Sequence, residues 1–312
     1  LFDKVDMATN IYIKGAEFEE MLKDELYQIK KFTNIDNDTG EIYNTYIVFD
    51  KKIPYIKYND RSKRLFISLS IPKLIYGNNI KEIDEHDIKD FFIIIHNRLN
   101  ELFGVCIEST EWKICEVEVS KNFYLDSHQQ VTEYINKLSN IKLPRKTTIK
   151  YNTESVYFKN KSQIIKFYDK LHQLKKETDI TASCLKQAEN ILRFEVQTKS
   201  YRLREFSAER KAIDLLSKKF FDSVTSGVIE IINNKITLED KNLITPIIFD
   251  SGLTKAQIES SVAIMIFTNE LGESAIKDVY STTTLNRKQG YLKNLIHFVQ
   301  QQQQIEKKLF LK

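Results

Sequence analysis

Apolar and polar residues alternate over 3–13 ("DKVDMATNIYI"), which predicts a strand, and the period then lengthens. Over 15–31 Phe18, Leu22, Leu26 and Ile29 recur on one helical stripe, which predicts a helix through that whole stretch. Alternation returns in "YNTYIVFDKK" (43–52), "PYIKYND" (54–60) and "RLFISLSI" (64–71), read as consecutive strands joined by polar turns. "DEHDIKDFFIIIHNRLNELFG" (84–104) reads as a helix with acids in its first turn and Gly104 at its end. A strand at 111–120, a helix at 127–140, and strands at 147–152, 155–160, 163–170 and 191–200 follow. Beyond them the pattern is almost wholly helical, at 207–224, 254–272 and 286–304. The expected architecture is α+β: a largely antiparallel sheet with flanking helices, followed by a mostly helical C-terminal region. We place one domain over residues 1–205 and a helical one over 206–312.

Strand alternation also assigns side chains to faces. In "QIIKFYDK" Ile165 and Phe167 point one way, which sends Lys166, Tyr168 and Lys170 the other. In "WKICEVEVS" Cys115, Val117 and Val119 take the core side, so Glu116 and Glu118 share the opposite face, roughly 7 Å apart by strand rise. "ILRFEVQ" repeats the arrangement, with Leu192, Phe194 and Val196 inward and Arg193, Glu195 and Gln197 outward. An antiparallel sheet with one solvated face would look the same, with the charges merely forming cross-strand pairs.

Composition narrows the classes. The 312 residues are 42% apolar, enough for a sizeable core, and 29% charged, with no apolar run approaching a membrane span and no export signal. The cytoplasm is the expected compartment. Three cysteines without close spacing suit reduced thiols better than a disulfide frame or a zinc site. The net charge of +4 is unevenly placed. From Arg145 to Lys176 nine basic residues face two acids, and from Arg193 to Lys219 eight face four. Such segregation suits a polyanionic partner. Arg145, Lys146, Lys150, Lys159, Lys161, Lys166, Arg193, Arg202 and Arg204 are the candidate phosphate contacts.

A phenol titrates near 10, so a nucleophilic tyrosine at neutral pH needs positive charge or a base beside it, and the lysines flanking Tyr168 meet that need. A divalent ion held by carboxylates would polarise a phosphodiester. The chain resembles the replication initiators of filamentous phages, rolling-circle nicking proteins of the HUH endonuclease superfamily, and more distantly the plasmid Rep initiators. The likeness rests on "LFDKV" at the start, "SIPKLIYGNN" (70–79), "CEVEVSKNF" (115–123), "SVYFKNKSQIIKFYDK" (155–170), "LRFEVQTKSYRL" (192–203) and the pattern at 269–296.

The resemblance implies that Tyr168 attacks a scissile phosphate in single-stranded or extruded origin DNA, leaving a phosphotyrosyl adduct and a free 3′-OH primer. It makes Lys170 the residue that stabilises the phosphate or acidifies the phenol, and Glu118 the leading metal ligand. Glu116 stands where the family often has arginine and becomes a possible second ligand. Asn78 stands where the filamentous-phage type keeps a histidine, and so favours Mg²⁺ or Mn²⁺ over zinc. Glu195 is a ligand, a base or a partner to Arg193. The implied partners are origin DNA, a host helicase and the replication machinery of a bacterial host. The alternative is an origin-binding or regulatory DNA-binding protein that does not cleave.

Overall fold

A computed structural model of the chain describes residues 1–178, 180–249 and 251–306. Two compact units are present, Leu1–Val228 and Ile229–Lys312. The first holds ten strands: β1 (Phe2–Asn10), β2 (Gln28–Ile35), β3 (Ile42–Phe49), β4 (Tyr55–Asn59), β5 (Arg64–Ser70), β6 (Lys113–Tyr124), β7 (Thr147–Tyr151), β8 (Ser155–Lys159), β9 (Gln163–Asp169) and β10 (Ile191–Lys199). They form one antiparallel sheet in the order β2-β3-β4-β5-β1-β6-β10-β9-β8-β7. The α+β architecture with a helical C-terminal region is therefore as the residue pattern predicts.

Helices α1 (Gly15–Met21), α2 (Ile71–Tyr76), α3 (Asp87–Phe103), α4 (His128–Asn140), α5 (Lys170–Leu174), α6 (Ala182–Gln187), α7 (Ser200–Leu203) and α8 (Ala212–Leu215) belong to the same unit. On the core side Phe18 of α1 stacks on Tyr46 at 4.4 Å and on Tyr58 at 5.2 Å, and meets Phe103 of α3 at 5.0 Å. Helix α4 buries Val131, Tyr134, Ile135 and Leu138 and packs on β7 to β10. Residues 206–228 are held in this unit by contacts such as Phe221 on Phe2 and the Ala212 N–H donating to the Trp112 carbonyl at 2.9 Å. Helix α9 (Lys218–Phe249) runs on into the second unit, whose other helices are α10 (Lys255–Val279) and α11 (Thr282–Glu306). Ile264, Ile276 and Leu285 form a buried cluster in that unit, and Thr254 caps α10 in a reciprocal box with Gln257.

The helix expected over 15–31 stops at Met21, and residues 28–35 instead form β2. Leu26, assigned above to the helical stripe, is 88% exposed. An outer strand with a mostly solvated pattern needs no apolar face, so its alternation is faint and the helical spacing of Leu26 and Ile29 carries no packing.

Candidate active site

Register determines which side chains meet. Tyr168 lies opposite Arg193 and Lys166 opposite Glu195 between β9 and β10, and Gln197 lies opposite Glu118 between β10 and β6. These polar groups therefore share one face of the sheet, and Tyr168, Lys166, Glu118, Glu195, Asp3 and Asn79 line a cleft of about 620 Å³. The Tyr168 hydroxyl donates to Glu195 Oε1 at 2.6 Å. Lys166 Nζ donates to Glu118 Oε1 at 2.7 Å and lies 3.4 Å from Glu195 Oε2, so a single ammonium joins the two carboxylates.

Electrostatics differ from the expectation that lysines acidify the phenol. Burial, and then the Glu195 charge, hold the Tyr168 hydroxyl well above its ordinary value, even against the opposing charge of Arg193. The proton therefore leaves only if something takes it, and Glu195 is in contact. Burial and the neighbouring Glu195 charge also push the Glu118 carboxyl up to about 7, despite Lys166. Lys166 is drawn the other way: burial works to lower it, but Glu195 and Glu118 keep it firmly protonated.

Lys170 does not line the cleft beside Tyr168. The strand ends at Asp169, whose carboxylate caps α5 by accepting from the His172 N–H at 3.2 Å, and Lys170 opens the helix. The turn carries its side chain beneath the surface, where it is 0% exposed and donates to Asn79 Oδ1 at 2.9 Å and Gln173 Oε1 at 2.7 Å. Burial first, and the Arg193 charge second, bring its ammonium down to about 8.

Arg193, expected among the phosphate contacts, is 1% exposed. Its Nη2 donates to Asp3 Oδ2 and its Nη1 to Asn122 Oδ1, each at 2.8 Å. Burial works to raise the Asp3 carboxyl, but Arg193 prevails and holds it below the usual carboxylate range. The outward face of the three central strands is thus a buried polar layer, whereas alternation alone suggests a solvated one.

Asn78 also falls outside the cleft, since its side chain accepts from the Ile80 N–H at 3.1 Å and donates to the Tyr76 carbonyl. Its neighbour Asn79 faces the site, bonded to Lys170 and, at 3.4 Å, to Asp3. Glu116 accepts from Gln197 and does not line the cleft. Asp3 and Asn79 are the residues that sequence reasoning missed. Both lie in quoted motifs, and an acid directly after Leu1 and Phe2 at the start of a strand was the available signal.

Among the described residues no three His, Cys, Asp or Glu side chains gather as a metal-binding group. The donor set still fits one kind of ion. Mg²⁺ and Mn²⁺ are hard cations that take oxygen ligands, and Mg²⁺ is commonly held by one or two carboxylates, with water and substrate phosphate completing the shell. Glu118 and Glu195 supply such a pair, already gathered around one positive charge.

Of the other basic residues, Arg145, Lys150, Lys159, Lys161 and Arg204 are exposed, and Arg202 is partly buried. Lys146 is half-buried and donates to Gln163 Oε1 at 2.8 Å. Lys159 sits four residues along β8 from Ser155, the partner of Tyr168, roughly 13 Å away along the strand, and Lys150 lies on β7 beside Tyr151, the residue opposite Ser155. No described helix is long and apolar enough to cross a membrane.

A search of curated proteins found no match. A family model describing the N-terminal region of a phage replication-associated protein matches residues 25–225, which include β2 to β10 and every cleft residue above except Asp3. The chain belongs to that family, the phage rolling-circle replication initiators.

Proposed function

We propose that this initiator nicks and rejoins one strand of origin DNA through Tyr168. The observation that carries the reading is the Tyr168 hydroxyl donating at 2.6 Å to Glu195 inside a cleft that also holds Glu118 and Lys166. As the scissile phosphate enters, Glu195 accepts the phenolic proton and the phenol oxygen bonds to phosphorus. The phosphorus–O3′ bond breaks, and the 3′-oxygen leaves with its electron pair and takes a proton from solvent. The product is a phosphotyrosyl linkage and a 3′-OH primer, and the reverse sequence rejoins the strand. Arg193 is the cation that favours the developing phenolate, Lys166 holds Glu118 and Glu195 beside it, and Lys170 acts from beneath, holding Asn79 against Asp3.

Glu118 and Glu195 would hold Mg²⁺ or Mn²⁺, which when bound withdraws charge from the non-bridging phosphate oxygens. The exposed cations Arg145, Lys150, Lys159, Lys161 and Arg204 would neutralise flanking phosphates, with Arg202 and Lys146 behind them. A host helicase and polymerase would then extend the exposed primer.

The test is covalent. Purified protein with end-labelled origin single strand and Mn²⁺ is expected to give a protein–DNA adduct that survives denaturation and is absent from Tyr168→Phe. Tight binding with no adduct in any divalent ion would instead establish a non-cleaving origin-binding protein.

A further inference from the structure

The face that carries Tyr168 continues across the other half of the sheet. Register sets Tyr55 opposite Ser68, Lys57 opposite Phe66 and Asn59 opposite Arg64, so these side chains project on the side away from the buried Ile56, Tyr58, Leu65 and Ile67. Tyr43, Tyr55, Phe66, Lys57 and Arg64 line a second cavity of about 540 Å³. Tyr55 also lines the Tyr168 cleft, which makes the two cavities neighbours along one surface.

Two properties distinguish this half. Its aromatic rings are partly exposed and arranged edge to face, Phe49 on Tyr55 at 6.2 Å and Tyr55 on Phe66 at 6.0 Å, which turns ring faces as well as edges outward. Of its cations, Arg61 pairs with Asp36 and Glu41 and lies over the Tyr43 ring at 5.6 Å, but the other two are uncommitted. Lys57 and Arg64 are exposed and pair with no described carboxylate, the nearest polar contact of Arg64 being Cys115 Sγ at 3.5 Å. Around Tyr168, by contrast, Lys166 and Arg193 are both committed to acids. An ordinary solvated sheet face would carry balanced charge pairs and few large rings.

Half-exposed rings interleaved with free cations suit a polyanion whose flat apolar groups are not already stacked. We propose that the β3–β5 half of this face is a platform for single-stranded DNA, with Tyr43, Tyr55 and Phe66 stacking unpaired bases and Lys57 and Arg64 meeting the backbone. The proposal rests on the chain's acting on origin DNA. It adds that the strand leaving the Tyr168 cleft crosses Tyr55 and runs over β4 and β5. Duplex DNA, with its bases stacked internally, would gain only the phosphate contacts.

The test measures anisotropy of a labelled mixed-sequence 30-nucleotide single strand and of a blunt duplex of the same length, at one fixed salt concentration, with metal chelated so that no cleavage occurs. Phe66→Ala is expected to weaken single-strand binding about tenfold and duplex binding less than twofold. Lys57→Glu, an exposed site where folding is not at issue, is expected to weaken single-strand binding by at least fivefold. Single-strand affinity within twofold of wild type in both variants overturns the platform. So does an equal loss for duplex and single strand in Phe66→Ala, and so does a wild-type protein that binds no single strand. The covalent assay on wild-type protein reads the nicking proposal separately: binding that depends on Phe66 without any adduct keeps the platform and removes the nuclease.

Discussion

Replacing Lys170 with methionine tests the placement that departs most from the expected one. A lysine offered to a phosphate would be solvated, with an ordinary titration near 10.5. Here it is sealed and brought down to about 8. Between those values the unfolded chain binds a proton that the folded chain does not, so folding stability rises with pH across that window and is flat below pH 8. The difference amounts to about 3 kcal/mol at about 1.4 kcal/mol for each pH unit. Methionine removes the titration while leaving two amide oxygens, on Asn79 and Gln173, without their donor, at about 1–3 kcal/mol each. The two effects nearly offset at neutral pH, so the informative quantity is the pH dependence. Urea unfolding followed by the fluorescence of Trp112, the single tryptophan and a buried residue of the first unit, isolates that unit. Wild type should gain about 3 kcal/mol relative to Lys170→Met between pH 8 and 10.5, other titrations cancelling in the difference. A difference that stays constant within about 0.5 kcal/mol over that range would refute the burial of a charged lysine at this site.

Three further substitutions separate the roles of neighbouring residues. Glu195→Gln should slow adduct formation by about 10²–10⁴-fold while single-strand affinity stays within about threefold, because the amide cannot take the phenolic proton; unchanged rates in rapid-quench assays would remove Glu195 from proton transfer. Arg193→Met should cost about 3–5 kcal/mol in urea titrations by leaving Asp3 buried without its cation, whereas a stable variant with a shallower salt dependence of DNA binding would restore Arg193 as a phosphate ligand. Leu26→Glu should change stability by less than about 0.5 kcal/mol, since the side chain is solvated; a loss of several kcal/mol would reinstate the longer helix.

Strands with one buried side were legible because alternation is imposed by burial. β9 and β10 carry apolar residues at every second position, as does β6 at Val117 and Val119, which put Tyr168, Glu118 and Glu195 on a common face; before Val117 an irregularity in the β1 pairing buries Ile114 where alternation expects Cys115. β2 was not legible, because an exposed edge strand imposes no such pattern and a chance helical spacing filled the gap. At the site, the failures share a cause. Alternation put Lys170 on the polar side but could not show its burial, because Asp169, a good cap at the strand's last position, starts a helix there. Asp3 pairs with Arg193 across 190 residues of sequence, and Asn79 reaches the cleft where Asn78 does not because of the turn after Gly77, whose φ of 76° favours glycine. Local period specifies which face a residue takes; only the assembled sheet determines what it meets there.

The charges of that buried layer bear on how DNA and metal enter it. Asp3, Glu118 and Glu195 face Arg193, Lys166 and Lys170, and the pairing is almost complete: Arg193 with Asp3, Lys166 with both glutamates, Lys170 with two neutral amides. A phosphodiester brought into such a site adds a negative charge where water is scarce and the cations are already engaged, which is costly unless more positive charge arrives with it. Lys170 is sealed and cannot supply that charge without opening α5. Under the proposed reaction, a divalent ion and the scissile strand therefore favour each other's binding. By linkage, the factor by which Mn²⁺ tightens the strand must equal the factor by which the strand tightens Mn²⁺. The proposed platform on β3–β5 lies outside this balance, Lys57 and Arg64 being unpaired there, so single-strand affinity contributed by them should be indifferent to the ion. Under the two proposals, metal dependence and stacking dependence would divide the sheet's face into a half that reacts and a half that holds.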